Sequence, residues 1–311
     1  MPTLRLAPLP VVIAVLLASS AGAVTFDYTT LWTHLADTEL DHYIYDCGGV
    51  VDLAVKGNFA YAVDSWQGLQ VIDWTDPTAI VYRGFLYINR PVGCDVRDHI
   101  VYVVTSDGQI AVADVDDHDQ PVLVNQVPVG GTPRDVLVLG PWLYVLTGDD
   151  TLRIFSLTVA STPTPVGTVS LPAGRSDRMD LDGERLVVAG TGGLAVYNVT
   201  TPDWPWLLGT HDLSGAVSGL DVRDGLALVG QVSESRLIDV SDPTAMVELA
   251  TLDSGGKGAL LTSNGQAWLG WGFCWYYGGM NVFDVSTPTA PVLLHQEIQG
   301  FRGWPEAMVE Y

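Results

Sequence analysis

The pattern is cleanest at Gly68-Leu-Gln-Val-Ile-Asp-Trp-Thr-Asp-Pro77, where apolar and polar residues alternate and then stop in a turn ending in proline. Such alternation is that of a half-buried strand, and Asp with Pro closes it because the carboxylate bonds nearby backbone N–H groups while Pro fixes φ. Upstream, Asp52-Leu-Ala-Val55 and Phe59-Ala-Tyr-Ala-Val63 read as two partner strands, and residues 79–88 supply a fourth. The same four-strand order returns in later units starting at Asp95, Asp135, Asp180, Asp221 and near Ala259. The start-to-start spacings are 43, 40, 45, 41 and 38 residues.

A period of about 40–45 residues with four strands per unit predicts an all-β fold, a β-propeller of six four-stranded blades. One four-stranded sheet cannot cover both of its faces, whereas blades stacked around an axis cover each other. A β-sandwich is the competing fold, but it gives no reason for the repeat. Helical spacing is missing throughout. Leu31-Trp-Thr-His-Leu-Ala36 reads as a lone strand ahead of the repeats, and Ala307-Met-Val-Glu-Tyr311 as a first strand after them. Together they predict a partial seventh blade made from the N- and C-terminal strands.

The repeat has a recognisable wording. Gly68 to Pro77, Arg236-Leu-Ile-Asp-Val-Ser-Asp-Pro243 and Gly279-Met-Asn-Val-Phe-Asp-Val-Ser286 each follow a short apolar strand. They resemble the LVIVD repeat of secreted bacterial propeller proteins, over roughly residues 50–300. Unit three departs, with Ser156 where other units carry Asp or Asn. The resemblance implies an extracytoplasmic propeller and no catalytic residues, since its motif consists of strand and turn positions.

Composition changes the picture in three ways. Residues 1–23 combine Arg5, an apolar run from Val11 to Ala18 and Ala21-Gly22-Ala23, the layout of a signal peptide. That leaves 24–311 as one propeller domain that is exported to the periplasm, cell surface or exterior. The run is too short to span a bilayer comfortably, and nothing later approaches ~18 consecutive apolar residues. Second, 36 Asp+Glu against 14 Lys+Arg give a net charge of −22, which repels nucleic acid and anionic membranes. Third, the three cysteines, Cys47, Cys94 and Cys274, match no zinc spacing and allow at most one internal disulfide. Cys47 with Cys94 is the simplest pairing, Cys274 an alternative partner, and three free thiols the other option.

Two places could carry chemistry. Unit six holds Trp271, Phe273, Trp275, Tyr276 and Tyr277 among glycines, on the face that also carries the cysteines. Exposed rings there would suit a glycan, a peptide or another protein; packed rings would merely plug a loop. The second place is the series Asp52, Asp95, Asp135, Asp180 and Asp221, each at the start of the strand nearest the axis. Pointing inward, they would form a carboxylate ring that Ca²⁺ could neutralise; turned on their neighbours, they would be structural. Asp114 to Asp119 lacks the Gly and Glu of an EF-hand loop and reads as a solvated turn. No nucleophile elbow or phosphate loop occurs. The leading expectation is an exported, non-catalytic binding scaffold for a protein, peptide or glycan. The alternative is a divalent-cation-dependent hydrolase of the lactonase-like propeller type, with its carboxylates at the channel mouth.

Overall fold

The computed structural model describes residues 14–16, 50–65, 67–76, 80–273, 277–299 and 308–310. Among them are six antiparallel four-stranded sheets, each built from four consecutive strands. Blade 1 consists of Val50–Lys56, Phe59–Asp64, Gly68–Asp73 and Val81–Leu86. Blade 2 consists of Pro91–Arg97, Ile100–Thr105, Gln109–Asp114 and Val122–Pro128. Blade 3 consists of Pro133–Leu139, Trp142–Thr147, Thr151–Ser156 and Thr164–Ser170. Blade 4 consists of Arg178–Asp182, Arg185–Gly190, Gly193–Asn198 and Trp206–His211. Blade 5 consists of Val217–Arg223, Leu226–Gln231, Ser235–Asp239 and Val247–Leu252. Blade 6 consists of Gly258–Leu261, Gln266–Phe273, Tyr277–Asp284 and Val292–Gln299.

First strands of consecutive blades touch one another, so they surround the axis and the fourth strands form the rim. The second and third strands are buried on both faces, which explains their nearly continuous apolar runs, such as Ile100–Thr105 and Trp142–Thr147. Their side chains form a separate apolar cluster in each of the five interfaces from blade 1 to blade 6.

The repeat's turn chemistry is visible in every blade. Thr75 N–H and its hydroxyl donate to Asp73, Ser241 does so to Asp239, and Ser286 to Asp284. Asn198 accepts from Thr200 in the same way, Asp114 from Asp116 N–H, and Ser156 is a weaker stand-in bonded to Thr158. These bonds hold the carboxyls of Asp73, Asp239 and Asp284 below their ordinary range. Asp114 to Asp119 is a turn as expected, but it docks on blade 1. His118 stacks on Phe59 at a centroid distance of 3.6 Å, and Asp119 pairs with Arg83 at 2.8 Å.

Every fourth strand is bulged at the same register, opposite the step 71/72, 112/113, 154/155, 196/197, 237/238 or 282/283. A bulge breaks the regular row of edge N–H and C=O groups, so the rim resists pairing with further strands.

Among the described residues no apolar cluster spans blades 6 and 1. Their facing surfaces carry two smaller clusters, Leu260, Trp268, Met280 and Val282 on one side and Ala60, Ala62 and Ile72 on the other. Met308–Glu310 lies against the first strands of both blades, and Met308 packs on the blade 6 cluster. It pairs in parallel with Ala14–Leu16, inside the predicted leader. Leu31 to Ala36 lies outside the described residues. No helix among the described residues is long and apolar enough to cross a membrane.

Candidate functional site

The axial aspartates do not begin their strands, as the sequence reading expected, but sit inside them. Nor are they equivalent. The residue paired, through the second strand, with the central apolar residue of the repeat (Val71, Val112, Ile154, Val196, Leu237, Val282) fixes a common level. At that level the six first strands carry Ala54, Asp95, Leu137, Asp180, Asp221 and Leu260. Two residues earlier they carry Asp52, Gly93, Asp135, Arg178, Gly219 and Gly258. Five aspartates that read as one ring therefore form two levels. In this frame the spacings become 41, 42, 43, 41 and 39 residues, and most of the apparent irregularity disappears.

Each carboxylate is a staple. Asp95 Oδ1 accepts from Val96 N–H at 2.7 Å in its own strand, and Oδ2 from Val138 N–H at 2.6 Å in the next blade. Asp52 does the same with Leu53 and Cys94, Asp135 with Val136 and Met179, and Asp180 with Leu181 and Val222. Asp221 reaches Leu261 N–H at 2.5 Å, so the series runs from blade 1 to blade 6. The bonds favour the ionised form, but burial outweighs them. It pushes Asp95 up to about 6, and burial with like charge nearby raises Asp52 to about 7 and Asp180 to about 8. Asp135 is also raised by burial, with Arg178 pulling it back. With both oxygens on backbone N–H groups, these four carboxylates hold the blades together. No group of three or more His, Cys, Asp or Glu side chains suited to a metal occurs among the described residues.

A second row of staples sits farther out. Tyr102 and Tyr144 donate their hydroxyls to Ala160 and Pro202 carbonyls in the following blade, at 2.9 and 2.7 Å. Tyr61 meets His118 Nε2 at 3.3 Å.

Cys94 lies within the first strand of blade 2, not before it as expected. It is a buried free thiol with Sγ 3.4 Å from Tyr61 O, and burial raises its pKa well above the usual value. Cys47, Cys274, Trp275 and Tyr276 lie outside the described residues. Trp271 and Phe273 lie in the second strand of blade 6 and Tyr277 in the third, in a hairpin whose strands run to eight residues where the other blades use five or six. Phe273 pairs with Tyr277 and Trp271 with Gly279.

A concave site among the described residues lies elsewhere. A cleft of about 550 Å³ opens between blades 4 and 5, lined by Asp182, Glu184, Arg185, Asn198, Leu208, Pro243 and Thr244. It lies at the end where first strands turn into second strands and third into fourth, opposite the long blade 6 hairpin. Its polar groups form one row across blade 4. Asp182 pairs with Arg185, Arg185 with Asn198, and Asn198 with Trp206. Cross-strand partners share a face of the sheet, so all four side chains stand on the same side.

The row departs from the repeat. At the second-strand place blades 1, 2, 3 and 5 carry Phe59, Ile100, Trp142 and Leu226 and blade 6 carries the neutral Gln266, where blade 4 carries the cation Arg185. At the fourth-strand place the other blades carry Val81, Val122, Thr164, Val247 and Val292, where blade 4 carries Trp206. Arg185 is anchored by one nitrogen, Nη1, to the carbonyls of Val240 (3.2 Å) and Ser241 (2.7 Å), which leaves Nε and Nη2 for the cleft. Asp182 spends its carboxylate on the N–H groups of Asp224 and Gly225, which ties the blade 5 hairpin to the cleft wall. Asn198 spends its oxygen on Thr200, so its amide N–H₂ is the free end.

Residues 47–86 match the LVIVD repeat family. No curated protein matches the chain. Among solved structures, a crystal structure of a protein from Lactobacillus plantarum superposes with a TM-score of 0.70 at 12% identity, over 84% of this chain and 89% of that one. At that identity the likeness concerns the fold alone. Six four-stranded blades make this chain a β-propeller, and its first blade carries an LVIVD repeat.

Proposed function

We propose that the protein is an exported, non-catalytic propeller that binds a protein, peptide or glycan, with the blade 4–5 cleft as its binding site. The observation that carries this reading is the row Asp182–Arg185–Asn198–Trp206. It is the place where one blade exchanges the repeat's apolar and Val positions for a cation and an indole, beside a cleft of about 550 Å³. Polar groups that converge on a concave surface fix the orientation of a ligand, and here five of them do so beside the apolar Leu208 and Pro243. The leader supports export. Met308–Glu310, between blades 6 and 1, supports a partial seventh blade with this strand innermost. The hairpin of blade 6, whose second and third strands run to eight residues, is a second candidate site at the opposite end.

A cation-dependent hydrolase would need its axial carboxylates free to hold an ion, whereas those of Asp52, Asp95, Asp135 and Asp180 are engaged on backbone N–H groups. The test is a paired screen of the purified chain. Glycan and peptide arrays should give specific binding, and chromogenic esters and lactones should show no turnover with or without CaCl₂. Calcium-dependent turnover that Asp52→Asn abolishes would replace the binding reading with the hydrolase.

A further inference from the structure

We infer that the blade 4–5 cleft is a subsite for a neutral saccharide, with Trp206 as the stacking platform and Arg185, Asn198 and Glu184 as the groups that read hydroxyls. The inference rests on the reading of the chain as a binding module and adds the class of ligand.

The chemistry of the row is the argument. A sugar ring presents an apolar C–H face and a rim of hydroxyls that both donate and accept. It is matched by one flat, partly exposed aromatic ring flanked by planar polar groups. Trp206 is 42% exposed and heads the fourth strand of blade 4, on the same sheet face as Asn198 and Arg185. Trp204, 75% exposed, stands two residues earlier in the turn that closes on Thr201 O. A tryptophan exposed to this degree is not held there by the core, and Trp206 shares the sheet face of Asn198 and Arg185, which line the cleft. Free donors come from Arg185 Nε and Nη2 and from the Asn198 amide, and a free acceptor from the exposed Glu184 carboxylate. Donors and acceptors together suit hydroxyl groups, which are both. Leu208 and Pro243 give the cleft apolar walls.

Charge selects a neutral ligand over a uronate-rich one. Arg185 alone would welcome a carboxylate, but Glu184 lies in the same cleft and the chain carries a net charge of −22. A polyanion would meet repulsion on approach at low salt. The site is also rigid. Its floor is tied by Asp182 to the blade 5 hairpin and by Arg185 to the strand exit at Val240 and Ser241, so little ordering is lost on binding.

The experiment is affinity electrophoresis of the full chain, which at pI ≈ 4.2 migrates to the anode in native gels. The gels contain graded soluble β-glucan, mannan or xylan as neutral probes and alginate as the acidic one. Retardation by at least one neutral polysaccharide is expected. Trp206→Ala should weaken it by about tenfold or more, Trp206→Phe should restore part of it, and Phe85→Ala, an exposed ring on blade 1, should leave it unchanged. Melting temperatures of the variants confirm that each is folded. Retardation by none of the neutral probes, retardation indifferent to Trp206→Ala, or retardation by alginate alone would each overturn the saccharide assignment. An array peptide whose binding disappears in Trp206→Ala would overturn it too, while leaving the binding-module reading in place.

Discussion

The axial staples make a prediction about pH that runs against habit for an acidic protein. Asp95 has an ordinary value of 3.8 and is pushed up to about 6 by burial. The native state therefore holds this proton more tightly than the unfolded chain. Its contribution to stability is complete below 3.8 and is withdrawn as pH rises through the folded value. A tenfold change in proton affinity is worth about 1.4 kcal/mol, so Asp95 alone withdraws on the order of 3 kcal/mol between about pH 4 and pH 7. Asp52 and Asp180, raised to about 7 and about 8, act in the same direction and extend the window upward. The lowered carboxyls of Asp73, Asp239 and Asp284 work the other way, but they are already ionised by about pH 5 and add nothing to the slope above it. Urea unfolding should thus show stability falling from pH 5 to pH 8 in 0.15 M salt, where the repulsion of the −22 net charge is largely screened. Asp95→Asn cannot ionise, and it should flatten the slope by on the order of 1 kcal/mol per pH unit between pH 5 and pH 6. Stability that rises across this range in the wild type, or a slope that Asp95→Asn leaves untouched, would refute the account of the axis as buried carboxylates stapling backbone.

Other outcomes follow from particular contacts. A Cβ on Gly209 would sit 1.7 Å from Pro243 O, whereas one on Gly167, at the same repeat position in blade 3, meets nothing within 4 Å. Gly209→Ala should cost roughly 3 kcal/mol or more by chemical denaturation and disturb the cleft, while Gly167→Ala should be neutral or slightly stabilising. Tyr144→Phe removes the hydroxyl donated to Pro202 O and should lower stability by about 1 kcal/mol without changing the fold by circular dichroism. Cys94 should react with a thiol reagent only when the chain is unfolded, because it is buried and its thiolate is strongly disfavoured. Adding CaCl₂ or EDTA should leave the melting temperature unchanged within about 1 °C, and a larger calcium-dependent rise would mean that an ion site exists.

The blades were legible in the sequence because the repeat is written in strand and turn chemistry. Residues such as Asp73, Asp239 and Asp284 close third strands by bonding the residue two places on, a local event that needs no tertiary context. The level of an aspartate is not local. Asp52 and Asp95 each stand before an apolar residue, yet they are two residues apart in register, and only pairing with the second strand reveals it. Side chains two places apart in a strand point the same way, so a slip of two leaves the inward direction intact and goes unnoticed in the alternation. The irregular spacing, 43 and 45 against 40 and 38, was the visible trace. The cleft had a trace as well. Laying the six third-strand endings beside the residues four strands share would have set Arg185 and Trp206 against apolar and Val partners. In the sequence Trp206 is one more apolar residue of a fourth strand, since exposure is a property of the assembled rim.

That the site lies between blades follows from how the axis is built. The inward carboxylates of four blades are consumed in tying each blade to the next. Changing one of them to read a ligand would release two backbone N–H groups from their acceptor, a loss of on the order of 2 kcal/mol or more. At the ends of the strands such ties vary between blades: Asp182 accepts from Asp224 and Gly225 N–H in blade 4, where Lys56, Arg97 and Arg223 stand in blades 1, 2 and 5. In blades 1, 2 and 5 the equivalent row reads cation, apolar, Asp and Val, with the Asp holding the turn. Blade 4 keeps the turn by using Asn198 and departs from the repeat around it at Arg185 and Trp206. Converting that row back to the repeat, with Arg185→Leu and Trp206→Val together, should therefore abolish binding while lowering stability by no more than the two carbonyl bonds of Arg185, about 2 kcal/mol. A double variant that still binds its ligand with unchanged affinity would show that the departure from the repeat is not the site.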